Sequence, residues 1–150
     1  MNFFECKVSY ETEEETTGKN AGKKKKKTDT YMVDALSFTE AEARIIEEVA
    51  PFYTREFNVA SIRKAKISEI FGQDIEAERW YKCRVAYITI DEVNATEKKA
   101  FSTILVHADN FEEALKNLKD GLKETISDTE IVTITDTPIM DVYRYVVPEK

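Results

Sequence analysis

The segment Val33-Asp34-Ala35-Leu36-Ser37-Phe38-Thr39-Glu40-Ala41 is echoed by Val106-His107-Ala108-Asp109-Asn110-Phe111-Glu112-Glu113-Ala114. No other feature constrains the fold as tightly. Each copy reads as the end of a strand, an N-cap and the first turn of an amphipathic helix. Ser37 with Glu40, and Asn110 with Glu113, have the spacing at which a cap oxygen accepts from the backbone N–H three residues on. Behind the caps, Phe38, Ala41, Ile45 and Val49 match Phe111, Ala114, Leu118 and Leu122. These form one apolar stripe at helical spacing, which faces a core. Pro51 ends the first helix near Ala50, because the residue before a proline avoids helical geometry. Gly121 weakens the second helix by ~1 kcal/mol relative to alanine.

The correspondence extends in both directions. Upstream, Phe3 to Tyr10 alternates so that Phe4, Cys6, Val8 and Tyr10 share a face, and Trp80 to Tyr87 repeats it, with 83 − 6 = 77 relating the cysteines. The next strands, 28–36 and 100–108, align at 106 − 33 = 73. Downstream, Ser61 to Phe71 and Thr133 to Tyr143 share a skeleton at 134 − 62 = 72, each read as one strand with a bulge or bend near Lys66 and Pro138. Pro138 cannot donate to a ladder, so it belongs at an edge or bulge. The expected fold is α+β, a duplicated β-β-α-β unit with about six mainly antiparallel strands, two helices and pseudo-two-fold symmetry. Residues 1–72 form the first repeat and 79–147 the second, the two making one compact unit. The first repeat carries a long charged hairpin over about residues 11–28, acidic on one arm and basic on the other.

The run Tyr31-Met32-Val33-Asp34-Ala35-Leu36-Ser37-Phe38-Thr39-Glu40-Ala41-Glu42-Ala43-Arg44 resembles the signature of a domain family of unknown function found in gut anaerobes and their phages. The Trp80-Tyr81-Lys82 opening of the second pass is similar to that family too, so the resemblance covers nearly the whole chain. It implies a bacterial or phage source and carries over no activity.

Catalytic chemistry is not advertised. Four glycines, Gly18, Gly22, Gly72 and Gly121, never approach the spacing of a phosphate-binding loop. His107 is the single histidine; it takes the place of Asp34 in the echo and, near Asp109, reads as a polar residue at a helix start. Two candidate ligands make no metal site. Cys6 and Cys83 lack a Cys-x-x-Cys partner and read as paired core thiols rather than a disulfide. No catalytic residue, cofactor or metal ligand is assigned, and the chain reads as non-enzymatic. No apolar run reaches the ~20 residues of a membrane span, and the N-terminus lacks signal-peptide order. A cytoplasmic protein without membrane partners is expected.

Two interaction surfaces stand out. The sheet face away from the helices carries Phe3, Lys7, Met32, Trp80, Lys82, Arg84, Phe101 and Leu105, a mixture of aromatic, apolar and basic side chains. The basic arm is Lys23, Lys24, Lys25, Lys26 and Lys27. The leading expectation is a protein-binding or assembly module, its partner another protein or a second copy. The alternative is single-stranded nucleic-acid binding, with the rings stacking bases and the lysines tracking phosphates. The net charge of −7 disfavours uniform coating of nucleic acid and leaves room for a local basic patch.

Overall fold

The structure, a computed structural model, describes residues 2–13 and 24–144. The hairpin tip, with Lys23, lies outside the described residues. The protein is α+β, with two helices and eight strands in two mixed four-stranded sheets. Two compact units divide it, one formed by Met1–Ala65 with Ile139–Lys150, the other by Lys66–Pro138.

In the first unit, β1 (Asn2–Glu13) and β2 (Lys24–Ala35) pair antiparallel in unbroken register from Asn2↔Ala35 to Glu13↔Lys24. Helix α1 (Phe38–Val49) follows, Ser37 accepting from the Glu40 N–H at 3.2 Å. The Glu40 carboxylate reaches back to the Leu36 N–H, one residue before the cap. Pro51 sits in a 3-10 turn, Ala50–Phe52, that ends the helix. Strand β3 (Phe57–Ala65) returns antiparallel beside β1, its register broken between Lys7 and Val8, where Ala60 is the extra residue. Phe4, Cys6, Val8, Tyr31 and Val33 meet Ala41, Ile45 and Val49 in a closed apolar core.

The second unit has the same connectivity. Strands β5 (Arg79–Asp91) and β6 (Thr96–Ala108) form its hairpin. Asn110 caps helix α2 (Phe111–Leu122) by accepting from Glu113 N–H at 2.8 Å. Strand β7 (Asp128–Asp136) lies beside β5, with the register broken between Arg84 and Val85 and Val132 as the extra residue. Tyr81, Cys83, Val85, Ile104 and Val106 pack with Ala114, Leu118 and Leu122.

The count of strands departs from expectation. The stretches 61–71 and 133–143 are not single bent strands. Each stops, at Ala65 and at Asp136, and resumes as a short strand, β4 (Glu69–Phe71) and β8 (Ile139–Tyr143). Bulges fall opposite Lys7 and Arg84, and a third register shift, between Thr30 and Tyr31, leaves Met140 as the extra residue two positions after Pro138. Pro138 lies in the break, where no ladder bond is needed. Each resumed strand enters the sheet of the other half of the sequence. Strand β8 adds parallel to β2 and completes the order β3-β1-β2-β8; β4 adds parallel to β6 in the order β4-β6-β5-β7. The registers correspond, Asp141↔Tyr31 and Tyr143↔Val33 against Glu69↔Ile104 and Phe71↔Val106. The two compact units meet in sequence at 65/66 and 138/139.

Two glycines are set by this arrangement. Gly72 adopts φ +80 just after β4, with its carbonyl 3.2 Å from His107 Nδ1. Gly121 faces the Phe71 ring so closely that a Cβ there would lie 2.5 Å from two ring carbons.

Candidate functional site

Of the eight expected surface residues, four are buried: Phe3, Met32, Trp80 and Leu105. Alternation points them away from the helices, as expected, yet that side of the strands does not leave them open. Lys7 is half-buried. Lys82, Arg84 and Phe101 are exposed, and the Arg84 guanidinium lies 4.4 Å over the Phe101 ring. Trp80 stacks on His107, with ring centroids 4.3 Å apart and planes 8° from parallel. Because a carbonyl can only accept, His107 carries its proton on Nδ1, facing Gly72 O. His107 is thus held by structural neighbours on both sides.

Lys24, Lys25, Lys26 and Lys27 lie exposed along the start of β2, opposite Glu13, Thr12, Glu11 and Tyr10. The Lys24–Glu11 pair is 3.9 Å long and exposed at both ends, a geometry worth little in water. A polar groove of about 420 Å3 beside it sets Lys24, Lys26 and Arg55 against Glu11 and Glu56. The basic arm is therefore interleaved with acid.

Cys6 and Cys83 are free thiols, each buried in its own unit's core. Burial, with Glu5 adding to it, pushes Cys6 up to about 12, and burial alone pushes Cys83 up to about 11. Thiolate is scarce at neutral pH, and nucleophilic reactivity with it. Among the described residues no group of three or more His, Cys, Asp or Glu side chains could hold a metal ion. No helix among them is long and apolar enough to cross a membrane.

An aromatic-lined concave site lies in the first unit, where sequence reasoning placed nothing. It is an open cavity of about 380 Å3. Its aromatic lining comes from Tyr10 of β1, Tyr31 of β2, Phe52 and Tyr53 after α1, and Tyr143 of β8. Asp29 of β2, with Met140 and Asp141 of β8, completes it. Register explains the convergence. Cys6↔Tyr31, Val8↔Asp29 and Tyr10↔Lys27 put Tyr10, Asp29 and Tyr31 on the helix side of the sheet, and Tyr31↔Asp141 brings in the edge strand. The 3-10 turn then delivers Tyr53, whose ring sits 5.1 Å from that of Tyr10 and 5.1 Å from that of Phe57. Tyr31 and Tyr143 stack with centroids 6.0 Å apart.

The hydroxyls form a directed chain. Tyr53 donates to Asp29 Oδ2 at 2.9 Å, and its oxygen is 2.8 Å from that of Tyr31. A hydroxyl has one proton and a carboxylate only accepts, so Tyr31 donates to Tyr53 and Tyr53 to Asp29. Burial pushes the hydroxyls of Tyr31, Tyr53 and Tyr143 up from the usual tyrosine range. The carboxylate of Asp29, to which Tyr53 donates, pushes that hydroxyl further, as the Asp141 carboxylate does Tyr143. The phenols stay neutral at physiological pH.

The corresponding positions in the second unit are different. At offsets 102 − 29 = 73, 104 − 31 = 73 and 143 − 71 = 72, Ser102, Ile104 and Phe71 stand in place of Asp29, Tyr31 and Tyr143. Ile104 and Phe71 fill core space there without polar atoms. The fold closes without a tyrosine–aspartate network, so packing alone does not require one.

No curated protein matches the chain, and no solved structure does. A family model described as "Domain of unknown function (DUF4494)" matches residues 2–145. A match spanning nearly every residue of both units settles the affiliation: the chain belongs to the DUF4494 family.

Proposed function

We propose that the protein is a non-enzymatic protein-binding module, built by duplication of a β-β-α-β unit, that grips its partner through the tyrosine pocket of the first unit and the charged ribbon continuing from it. The pocket carries the proposal, because the second unit builds the corresponding sheet with Ser102, Ile104 and Phe71 where the first has Asp29, Tyr31 and Tyr143. Its rim supports the reading as well. Phe52 and Met140 are 69% and 61% exposed, the kind of apolar border that a partner covers. Beyond Tyr10 and before Thr30 the β1/β2 ribbon has no further strand on either side among the described residues, leaving backbone edges for strand addition. The raised thiols and phenols are poor nucleophiles, which suits binding better than catalysis. The duplication, with the pseudo-two-fold symmetry it implies, draws on the matching registers of the two sheets. The setting in this reading is the cytoplasm of a gut anaerobe or of its infecting phage.

Selection of displayed random peptides against the whole protein tests it, with Tyr53→Phe and Met140→Ser as counter-screens. Peptides that bind wild type and lose affinity for either variant are expected. Failure to enrich any such peptide, together with an unchanged mass across a dilution series, would refute both partner binding and self-association. A second reading, single-stranded nucleic-acid binding, is favoured by the exposed Arg84–Phe101 pair and by Lys24 to Lys27. Oligonucleotide titration at low and moderate salt separates it from the first, since only this reading expects salt-sensitive binding.

A further inference from the structure

The pocket's hydrogen-bonding capacity is mostly accepting, the Tyr10 and Tyr143 hydroxyls being its remaining donors. The protons of Tyr31 and Tyr53 are committed along the chain to Asp29, which leaves lone pairs facing the cavity. Asp29 and Asp141 add two negative charges, and none of the lining residues is basic. Four tyrosine rings and Phe52 supply π-faces, which attract cations by their quadrupole. Acceptors, carboxylates and aromatic faces together are complementary to a cationic donor. A volume of about 380 Å3 suits one side chain or a small molecule.

The carboxylates select among cations. Asp29 Oδ2 already accepts from Tyr53 at 2.9 Å, and Asp141 Oδ1 accepts from the Val142 N–H at 2.8 Å. The fork of a guanidinium would have to share an oxygen that is already engaged. A compact ammonium needs no fork; one free oxygen and the surrounding rings are enough.

We infer that the tyrosine–aspartate pocket of the first unit is a binding site for an alkylammonium group, carried either by a lysine side chain of a protein partner or by a free amine. The site deepens the binding-module reading and rests on it where the ammonium belongs to a peptide.

Calorimetric or NMR titration of the whole protein tests the inference. The probes are N-acetyl-lysine methylamide, its norleucine counterpart, the arginine counterpart, and a lysine-bearing peptide. Saturable binding of the lysine compound is expected, with the norleucine and arginine compounds about tenfold weaker or worse. Asp29→Asn and Asp141→Asn should each weaken it by about tenfold. Asp141 is exposed on an edge strand, so its variant folds even where Asp29→Asn does not. Tighter binding of the peptide than of the capped residue identifies a protein source, and equal binding a small amine; both outcomes support the site. Equal affinity for lysine and norleucine compounds, or unchanged affinity in Asp141→Asn, would overturn it. Selected peptides that depend on Met140 but contain no essential lysine would also overturn it, while leaving the protein-binding reading intact.

Discussion

Gly121→Ala should destabilise the protein, although helix propensity alone predicts the reverse. In an open helix interior the change gains ~1 kcal/mol. Here the new methyl would lie 2.5 Å from Cδ2 and Cε2 of Phe71 and 2.8 Å from its Cζ. Carbon atoms prefer ~3.5–4.0 Å, so the ring must retreat by roughly 1 Å. Phe71 ends the short parallel strand β4 and is packed against the second core, so retreat disturbs the β4–β6 pairing. Overpacking of this kind costs ~1–3 kcal/mol, which outweighs the propensity gain and leaves a net loss of about 1 kcal/mol. Removing the obstacle reverses the sign: in a Phe71→Ala background the same alanine should stabilise by ~1 kcal/mol. The coupling between the two positions is then about 2 kcal/mol. Urea unfolding followed by tryptophan emission is the assay. Trp80 is the single tryptophan, is buried, and belongs to the same sheet as Phe71, so its emission reports on this unit. Equal stabilisation by Gly121→Ala in both backgrounds would refute the steric argument.

Asp34→Ala should cost about 2–4 kcal/mol, because it removes the carboxylate that lies 2.8 Å from the largely buried Arg44 guanidinium and pairs with its charge; an unchanged urea midpoint would refute this. Stability should fall as pH rises above about 9. The unfolded thiols ionise near 9.0, whereas folded Cys6 and Cys83 hold their protons to about 12 and about 11, so the unfolded state binds fewer protons in that window. Each thiol contributes a slope of up to ~1.4 kcal/mol per pH unit, full stability being present below 9. Urea midpoints between about pH 8 and about pH 11 test the slope, and Cys83→Ala should make it shallower. Ala95 has φ 54 in the turn after β5, so Ala95→Asn should stabilise by about 0.5 kcal/mol in the same assay; a loss would refute the strain assigned to it.

Both helices, their caps and the hairpin pairings were legible because the signals are local. A cap oxygen, a stripe at helical spacing and alternation in a strand each act within a few residues. Strands β4 and β8 were not legible: Ile67 to Phe71 and Ile139 to Tyr143 have the pattern of a strand, but nothing in a short parallel strand says which neighbour it joins. The burial of Phe3, Met32, Trp80 and Leu105 was missed for a related reason, since alternation gives the side of a strand and not what lies over it. The tyrosine pocket gathers residues from β1, β2, the turn after α1 and β8, so no window of sequence contains it. One signal was available. Comparing the repeats position by position shows Asp29 against Ser102, Tyr31 against Ile104 and Tyr143 against Phe71, inward positions at which a shared scaffold diverges in polarity.

The crossing of β4 and β8 has a consequence for how the protein is made. Residues Asn2 to Ala65 are made before Ile139 to Tyr143, and their sheet remains one strand short until those are translated. Until then the β2 backbone from Thr30 to Val33 keeps its outer hydrogen-bonding groups unmatched, and the tyrosine pocket lacks the wall that carries Tyr143. The full lining of the pocket therefore exists only once the chain has been made through Tyr143, well after the β1/β2 hairpin on which it rests.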